Sequence, residues 1–417
     1  MRRVAGQQEN IFERFQRLAV SQPEQLALRF LGDGERIDAQ YSYAHIDACA
    51  RSVGGYLQTL VKPGDRVLLL LPSSPDYVAA FLGCLYAGVI AVPAYPPERL
   101  RPQYNARLRA IAADCSPALI LTQRDLIETV TERMGSLFDS IDAKIIAFEE
   151  IDYATVQSWR PPVLRDDSIA FLQYTSGSTS APKGVMVGYD NLMANEAAIQ
   201  RRFEITGADS FVSWLPLFHD MGLVGGLMQP LYSGITLTLM SPKHFLERPV
   251  RWLEAITRYG GSISGGPNFA FRLCVERIGE NALEALDLST WRIAFCGAEP
   301  IRRETLTAFA DKFAAAGLNP GALYPCYGLA EATLLVTGGR PGSGAGAVNI
   351  SADAMAAGRF EADAAGQAIV NCGAVQDEHT LMLMHPQSGE PVSEGMIGEV
   401  WVAGPSVAHG YWRNDAA

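Results

Sequence analysis

The sequence predicts an α/β protein: two α/β subdomains with mostly parallel sheets, followed by a small antiparallel β subdomain. Short β-rich apolar runs alternate with helix-length segments between Arg66 and Ala147, which is the rhythm of βαβ units. A second cycle of the same kind runs from Ile169 to Cys296. After Gly338 the chain turns Gly-rich and then offers two short alternating runs around a turn, which is hairpin material. At roughly 100 to 200 residues per domain, 417 residues allow two or three packed units.

In the first cycle the candidate strands are Val67 to Leu71, Val89 to Val92, Leu119 to Thr122 and Ile145 to Phe148. Tyr77 to Pro97 carries no charge, and roughly 20 apolar residues suffice to cross a bilayer. Gly83, Gly88, Pro93, Pro96 and Pro97 interrupt it, which favours a buried helix followed by a core strand over a membrane span. Second-cycle strands are expected at Ile169 to Tyr174, Phe211 to Leu215, Thr236 to Met240 and Ile293 to Cys296, with helices at Asn191 to Phe203 and Pro249 to Tyr259. Gly338 to Gly346 reads as a loop, Ser351 to Gly366 is Ala-rich, and Thr380 to Met384 with Gly398 to Val402 reads as a hairpin.

Composition narrows the function classes. A formal charge of −11, with no local basic patch, repels a nucleic-acid backbone. The seven cysteines are odd in number and never form a CxxC pair, which argues against a disulfide framework or a zinc ribbon and fits a reducing cytoplasm. Met1 to Gln8 lacks the apolar core of a secretory signal. The six histidines show no metal-ligand spacing, and there is no GxSxG elbow.

The densest chemistry lies in Thr175-Ser176-Gly177-Ser178-Thr179-Ser180-Ala181-Pro182-Lys183-Gly184, between the apolar runs Ile169 to Tyr174 and Val185 to Val187. Glycines let backbone N–H groups converge, hydroxyls add donors and Lys183 adds a cation, which together suit a polyphosphate. Pro182 before the lysine and Gly184 after it exclude a Walker A loop. A flexible Ser/Gly linker is the alternative, but linkers seldom sit between two core strands.

From Tyr174 to Gly184 the chain resembles the phosphate-loop signature of the adenylate-forming enzymes: acyl-CoA synthetases, peptide-synthetase adenylation domains and fatty acyl-AMP ligases. With Gln173 ahead and Ser180 inside, it is most similar to the fatty acyl-AMP ligases. Trp214 to Leu223, Cys296 to Pro300, Tyr327 to Thr333, and Gly398 to Val402 with Gly410-Tyr411-Trp412 follow in family order.

The resemblance implies ATP and Mg²⁺ as cofactors and a fatty acid as substrate. It places Thr175, Ser176, Gly177, Ser178, Thr179 and Lys183 around the ATP phosphates. Gly297, Ala298 and Glu299 would line the adenine pocket, with Tyr327, followed by Gly328, stacking on the base. Glu331 is implied as the magnesium ligand, in keeping with a hard cation's preference for carboxylate oxygen; its alternative is a helix-start carboxylate that meets only the helix dipole. His219 would face the acyl carboxylate or the α-phosphate, against the alternative of a structural histidine. Where many relatives carry threonine before the glutamate this chain has Ala330, so Thr333 is the alternative hydroxyl.

The implied division is 1–340 for the paired α/β subdomains, 341–371 for an insertion typical of fatty acyl-AMP ligases, and 372–417 for the start of a truncated β subdomain. An ordinary surface loop is the alternative for the insertion. The family's Arg-Thr-Gly-Asp segment and its small C-terminal domain do not appear before Ala417, so the chain reads as the large N-terminal portion of a longer enzyme. The expected function is ATP-dependent activation of a fatty acid as acyl-adenylate, for transfer to an acyl carrier protein, with no nucleic acid and no stable membrane insertion. The alternatives are an acyl-CoA synthetase or amino-acid adenylation domain, and a non-catalytic nucleotide- or acyl-binding protein.

Overall fold

A computed structural model describes residues 9–97, 102–138, 143–151, 158–175 and 182–414, without the side chains of 102–104 and 133–138. A six-stranded sheet runs, edge to edge, through Lys144–Ala147, Leu119–Thr122, Arg66–Leu70, Ile90–Pro93, Ile169–Thr175 and Lys183–Gly188. All neighbours are parallel except the last pair. A nine-stranded sheet runs through Ala374–Val375, Leu335–Gly338, Leu323–Gly328, Ile293–Cys296, Ile263–Gly266, Ser210–Ser213, Thr236–Met240, Leu26–Leu31 and Ile37–Ser42. Its six middle strands are parallel, from Leu323–Gly328 to Leu26–Leu31.

Burial explains why the parallel strands read as continuous apolar runs. Along Arg66–Leu70, Val67 and Leu69 pack into the large core shared by both sheets, whereas Leu68 and Leu70 pack into a second core on the opposite face. A strand covered on both sides has no polar face to alternate with. The uncharged stretch after Ser74 resolves in the same way. Ser74 caps and Pro75 opens the helix Pro75–Ala87, and Gly88 at φ 71° ends it before the strand Ile90–Pro93. Among the described residues no helix is long and apolar enough to cross a membrane.

Three regions hold elements that the local pattern did not assign. The first 65 residues were read without elements, yet Leu26–Leu31 and Ile37–Ser42 extend the nine-stranded sheet. Ile263–Gly266 is a buried strand made half of glycine. A side chain at Gly265 would run into Phe295 of the neighbouring strand, so the glycine is required by close approach rather than by a turn. Met221–Met228 forms a π-helical turn, which the local pattern did not assign to any element.

Residues after Gly338 make two small antiparallel pairs, Ala347–Ile350 with Gln367–Val370 and Thr380–Met384 with Glu399–Ala403. Between the strands of the first pair lies a short helix, Ala352–Ala356, and Arg303 Nη1 donates to Asn349 Oδ1 at 3.2 Å to tie the pair to the main body. The chain then returns to the large sheets. Met186 N donates to Gly410 O (2.9 Å) and Trp412 N donates to Gly184 O (2.7 Å), adding 408–412 beside the edge strand Lys183–Gly188. All seven cysteines are free thiols.

Candidate active site

Parallel strands end on one side of a sheet, and ligands collect outside those carboxyl ends. Here Ser210–Ser213, Ile263–Gly266, Ile293–Cys296 and Leu323–Gly328 deliver their following loops to one cavity of about 1370 Å³. The wall includes Thr175, His219, Gly297, Ala298, Glu299, Tyr327, Gly328 and Glu331. Of the residues expected at the phosphates, Ser176, Gly177, Ser178 and Thr179 lie outside the described residues, and Lys183 stands behind the wall rather than on it.

The turn after Ile293–Cys296 is shaped by tight approach. A Cβ on Gly297 would meet Cys326 O and Sγ, each at 3.2 Å, and Ala298 sits at φ 64°, a region that costs an L-residue about 1–2 kcal/mol. Glu299 Oε1 accepts from Phe269 N at 2.6 Å, joining this turn to the helix Asn268–Arg277. Tyr327 is 38% exposed and opens onto the cavity. Partial burial, with the Glu331 charge behind it, raises its pKa.

Gly328 admits no side chain, because a Cβ would overlap the Leu334 carbonyl. The loop between them contains a γ-turn: Leu334 N donates to Ala332 O at 2.8 Å around Thr333, at φ 68°, ψ −57°. Such a turn is strained, and more so for a β-branched residue. Thr333 is 1% exposed and its hydroxyl donates to Ser406 O at 2.7 Å. It therefore points away from the cavity and does not replace the hydroxyl missing at Ala330. Asn195, fully buried, locks the loop by donating to Ala332 O and Leu335 O and accepting from Leu335 N.

His219 Nδ1 lies 2.6 Å from Asp220 Oδ1, which also accepts from Met221 N at 2.7 Å and so starts the π-helical turn. Desolvation opposes a charge on His219, but the hydrogen bond and charge of Asp220 outweigh it, and the imidazole pKa is raised. With Nδ1 engaged, Nε2 is the nitrogen left to meet a ligand. The π-helical turn then contributes Met221, Gly222 and Gly225 to the cavity.

Lys183 and Glu331 come together through a residue that the motif reading mentioned without a role. The Tyr411 hydroxyl donates to Glu331 Oε1 at 2.7 Å, and Lys183 Nζ lies 4.9 Å from the centre of the Tyr411 ring. Burial and the Glu331 carboxylate push the Tyr411 phenol up to about 12. Ala408 N also donates to Glu331 O at 2.8 Å, so the 408–412 segment clamps both backbone and side chain of the glutamate. Asn195 and Arg107, which also lines the cavity, were not recognised at all. Neither sits in a local motif; only the fold brings them to the site.

Comparison with known proteins agrees with this geometry. The model of the AMP-binding enzyme family matches residues 15–412. A medium-chain-fatty-acid–[acyl-carrier-protein] ligase of Moorena producens is 40% identical over 93% of this chain and 67% of its own length. A long-chain-fatty-acid–AMP ligase of Mycolicibacterium smegmatis is 34% identical over 97% of this chain and 66% of its own. This chain thus spans about two thirds of the length of these relatives. The crystal structure of a fatty acyl-adenylate ligase from L. pneumophila, in complex with acyl adenylate and pyrophosphate, superposes with a TM-score of 0.91 at 40% identity, covering 98% of this chain and 71% of that one. The chain belongs to the AMP-binding enzyme family and, within it, to the fatty acyl-AMP ligases.

Proposed function

We propose that this protein activates a fatty acid as its acyl-adenylate, releasing pyrophosphate, and passes the acyl group to the phosphopantetheine thiol of an acyl carrier protein. One observation carries the reading. Thr175, His219, Glu299, Tyr327 and Glu331 share a single cavity with the apolar side chains of Ile199, Phe203, Leu334 and Leu335. Its 1370 Å³ exceeds the roughly 300–1,000 Å³ of a small-ligand pocket, leaving room for a nucleotide beside an acyl chain.

In the first step a carboxylate oxygen attacks the α-phosphorus of ATP while the bond from that phosphorus to the bridging oxygen breaks, and pyrophosphate leaves with the electron pair. The step brings an anion towards a polyanion, so it needs cations and aligned donors in a site of low dielectric. Lys183 and the hydroxyls and amides of 175–179 serve the phosphates, while Gly297 to Glu299 and Tyr327 hold the adenine. His219, held by Asp220, presents Nε2 to the carboxylate or the α-phosphate. Glu331 fits a magnesium site: it is one hard carboxylate on the cavity wall, and among the described residues no group of three or more His, Cys, Asp or Glu could hold a metal without the substrate. That matches a cation bound by one or two carboxylates plus phosphates. Magnesium there would neutralise phosphate charge.

In the second step the carrier thiol, losing its proton, attacks the acyl carbon, and AMP departs. The pairing of 347–350 with 367–370 supports reading 341–371 as an ordered insertion rather than a plain surface loop. The seven free thiols support work in a reducing cytoplasm. Mass analysis with coenzyme A and holo carrier protein as competing acceptors tests the reading. Acyl-carrier without acyl-CoA is expected, whereas abundant acyl-CoA would make the protein a synthetase.

A further inference from the structure

The cavity wall is rich in acids: Asp220, Glu247, Glu299 and Glu331 all face it. Its lining cations are Lys243, His219 and Arg107. Lys243 lies 3.9 Å from Glu247 and His219 is paired with Asp220. Arg107 is different. Among the described residues no carboxylate lies within 4.0 Å of it, its buried Nε has no hydrogen-bond partner, and its one hydrogen bond runs from Nη2 to Tyr174 O at 3.5 Å.

A guanidinium is charged at every physiological pH, and partly burying it without an anion costs desolvation that nothing here returns. A 3.5 Å contact to a backbone carbonyl is too long to justify that cost as an anchor for the helix Pro102–Cys115. The position is informative as well. Tyr174 immediately precedes Thr175, where the phosphate-binding segment begins, and Arg107 is close enough to His219 for its charge to oppose protonation of the imidazole. The fork of a guanidinium matches two phosphate oxygens at once.

We propose that Arg107 is a binding residue for the pyrophosphoryl end of the nucleotide and holds pyrophosphate after it has left. This rests on the acyl-adenylating reading above. Calorimetry with sodium pyrophosphate and magnesium chloride tests it on wild type, Arg107→Lys and Arg107→Leu. Loss of a charged hydrogen-bonding fork is expected to weaken binding at least about ten-fold in Arg107→Leu and less in Arg107→Lys, with thermal unfolding of the free proteins unchanged. In steady state the KM for ATP rises while the KM for dodecanoate stays put. Equal pyrophosphate affinity in Arg107→Leu and wild type overturns the proposal. So does a rise confined to the dodecanoate KM, which would move Arg107 to the carboxylate. If wild type forms no acyl-adenylate but Arg107→Leu still loses pyrophosphate, the anion site stands and the acyl-adenylating reading falls.

Discussion

The Tyr411 hydroxyl donates a 2.7 Å hydrogen bond to Glu331 Oε1, so a residue 80 positions downstream sets the orientation of the carboxylate proposed to hold magnesium. The same ring lies beside Lys183, joining two charged groups that would otherwise each find their own rotamer. Partners of this kind around a metal ligand are commonly worth about 10- to 100-fold in metal affinity.

Tyr411→Phe keeps the ring beside Lys183 and removes only the donor. The magnesium concentration that half-saturates ATP binding is expected to rise about ten-fold, with ATP affinity at saturating magnesium little changed. Titration calorimetry measures both. An unaltered magnesium dependence would show that Glu331 is oriented without Tyr411.

Thr333 combines a strained backbone with a buried hydrogen bond to Ser406 O, and two substitutions separate them. Thr333→Val keeps the β-branch at positive φ and leaves the carbonyl without that donor, so it should cost about 1–3 kcal/mol in urea unfolding. Thr333→Gly loses the same bond but relieves the strain, and its loss should be smaller. A larger loss for glycine would contradict the strain argument.

Asp220 raises the His219 pKa against the opposing effect of desolvation. In Asp220→Asn the influences left, desolvation and the charge of Arg107, both disfavour the charged ring, so its pKa should fall below the ordinary 6.5. The raised value in wild type means that the pairing stabilises the fold below about pH 6.5 and that this contribution fades as pH rises through the folded-state value. Histidine ring-proton NMR across pH 5 to 9, assigned with His219→Gln, follows the shift. A titration unmoved by Asp220→Asn would refute the pairing.

Glu196 is fully buried, and burial lifts its carboxyl well above the usual range despite the charge of Arg14. The folded state therefore keeps a proton that the unfolded state gives up above its ordinary value of 4.5. Stability should fall as pH rises above that value, by up to about 1.4 kcal/mol per pH unit. Glu196→Gln should remove this slope between pH 5 and 7 in urea unfolding. A slope that survives the substitution would mean that another group sets it.

Much of this architecture was legible from local pattern. Leu119–Thr122, Thr236–Met240 and Ile293–Cys296 lie where their apolar runs placed them, because a strand buried on both faces writes its limits directly into the chain. Ile263–Gly266 escaped because its glycines answer to Phe295 and Trp214 across the sheet rather than to strand propensity. The same division holds at the site. Glu299, Tyr327 and Glu331 belong to contiguous signatures, and all three line the cavity. Thr333 belongs to one too, but its hydroxyl direction is set by a γ-turn that no spacing encodes. Asn195, Arg107 and the role of Tyr411 depend on contacts across 67 to 140 residues of chain, which only the folded topology supplies.

The central claim is that this cavity joins a fatty acid to AMP with Lys183 and Glu331 as working parts. Single-turnover incubation of the protein in excess over ATP, with magnesium and dodecanoate, followed by mass detection of dodecanoyl-AMP, tests it most directly. Wild type should form dodecanoyl-AMP with an equivalent of pyrophosphate, and Lys183→Ala and Glu331→Ala should form it at least about ten-fold more slowly. Absence of the adenylate from wild type, or its formation at an undiminished rate in both variants, would contradict the account.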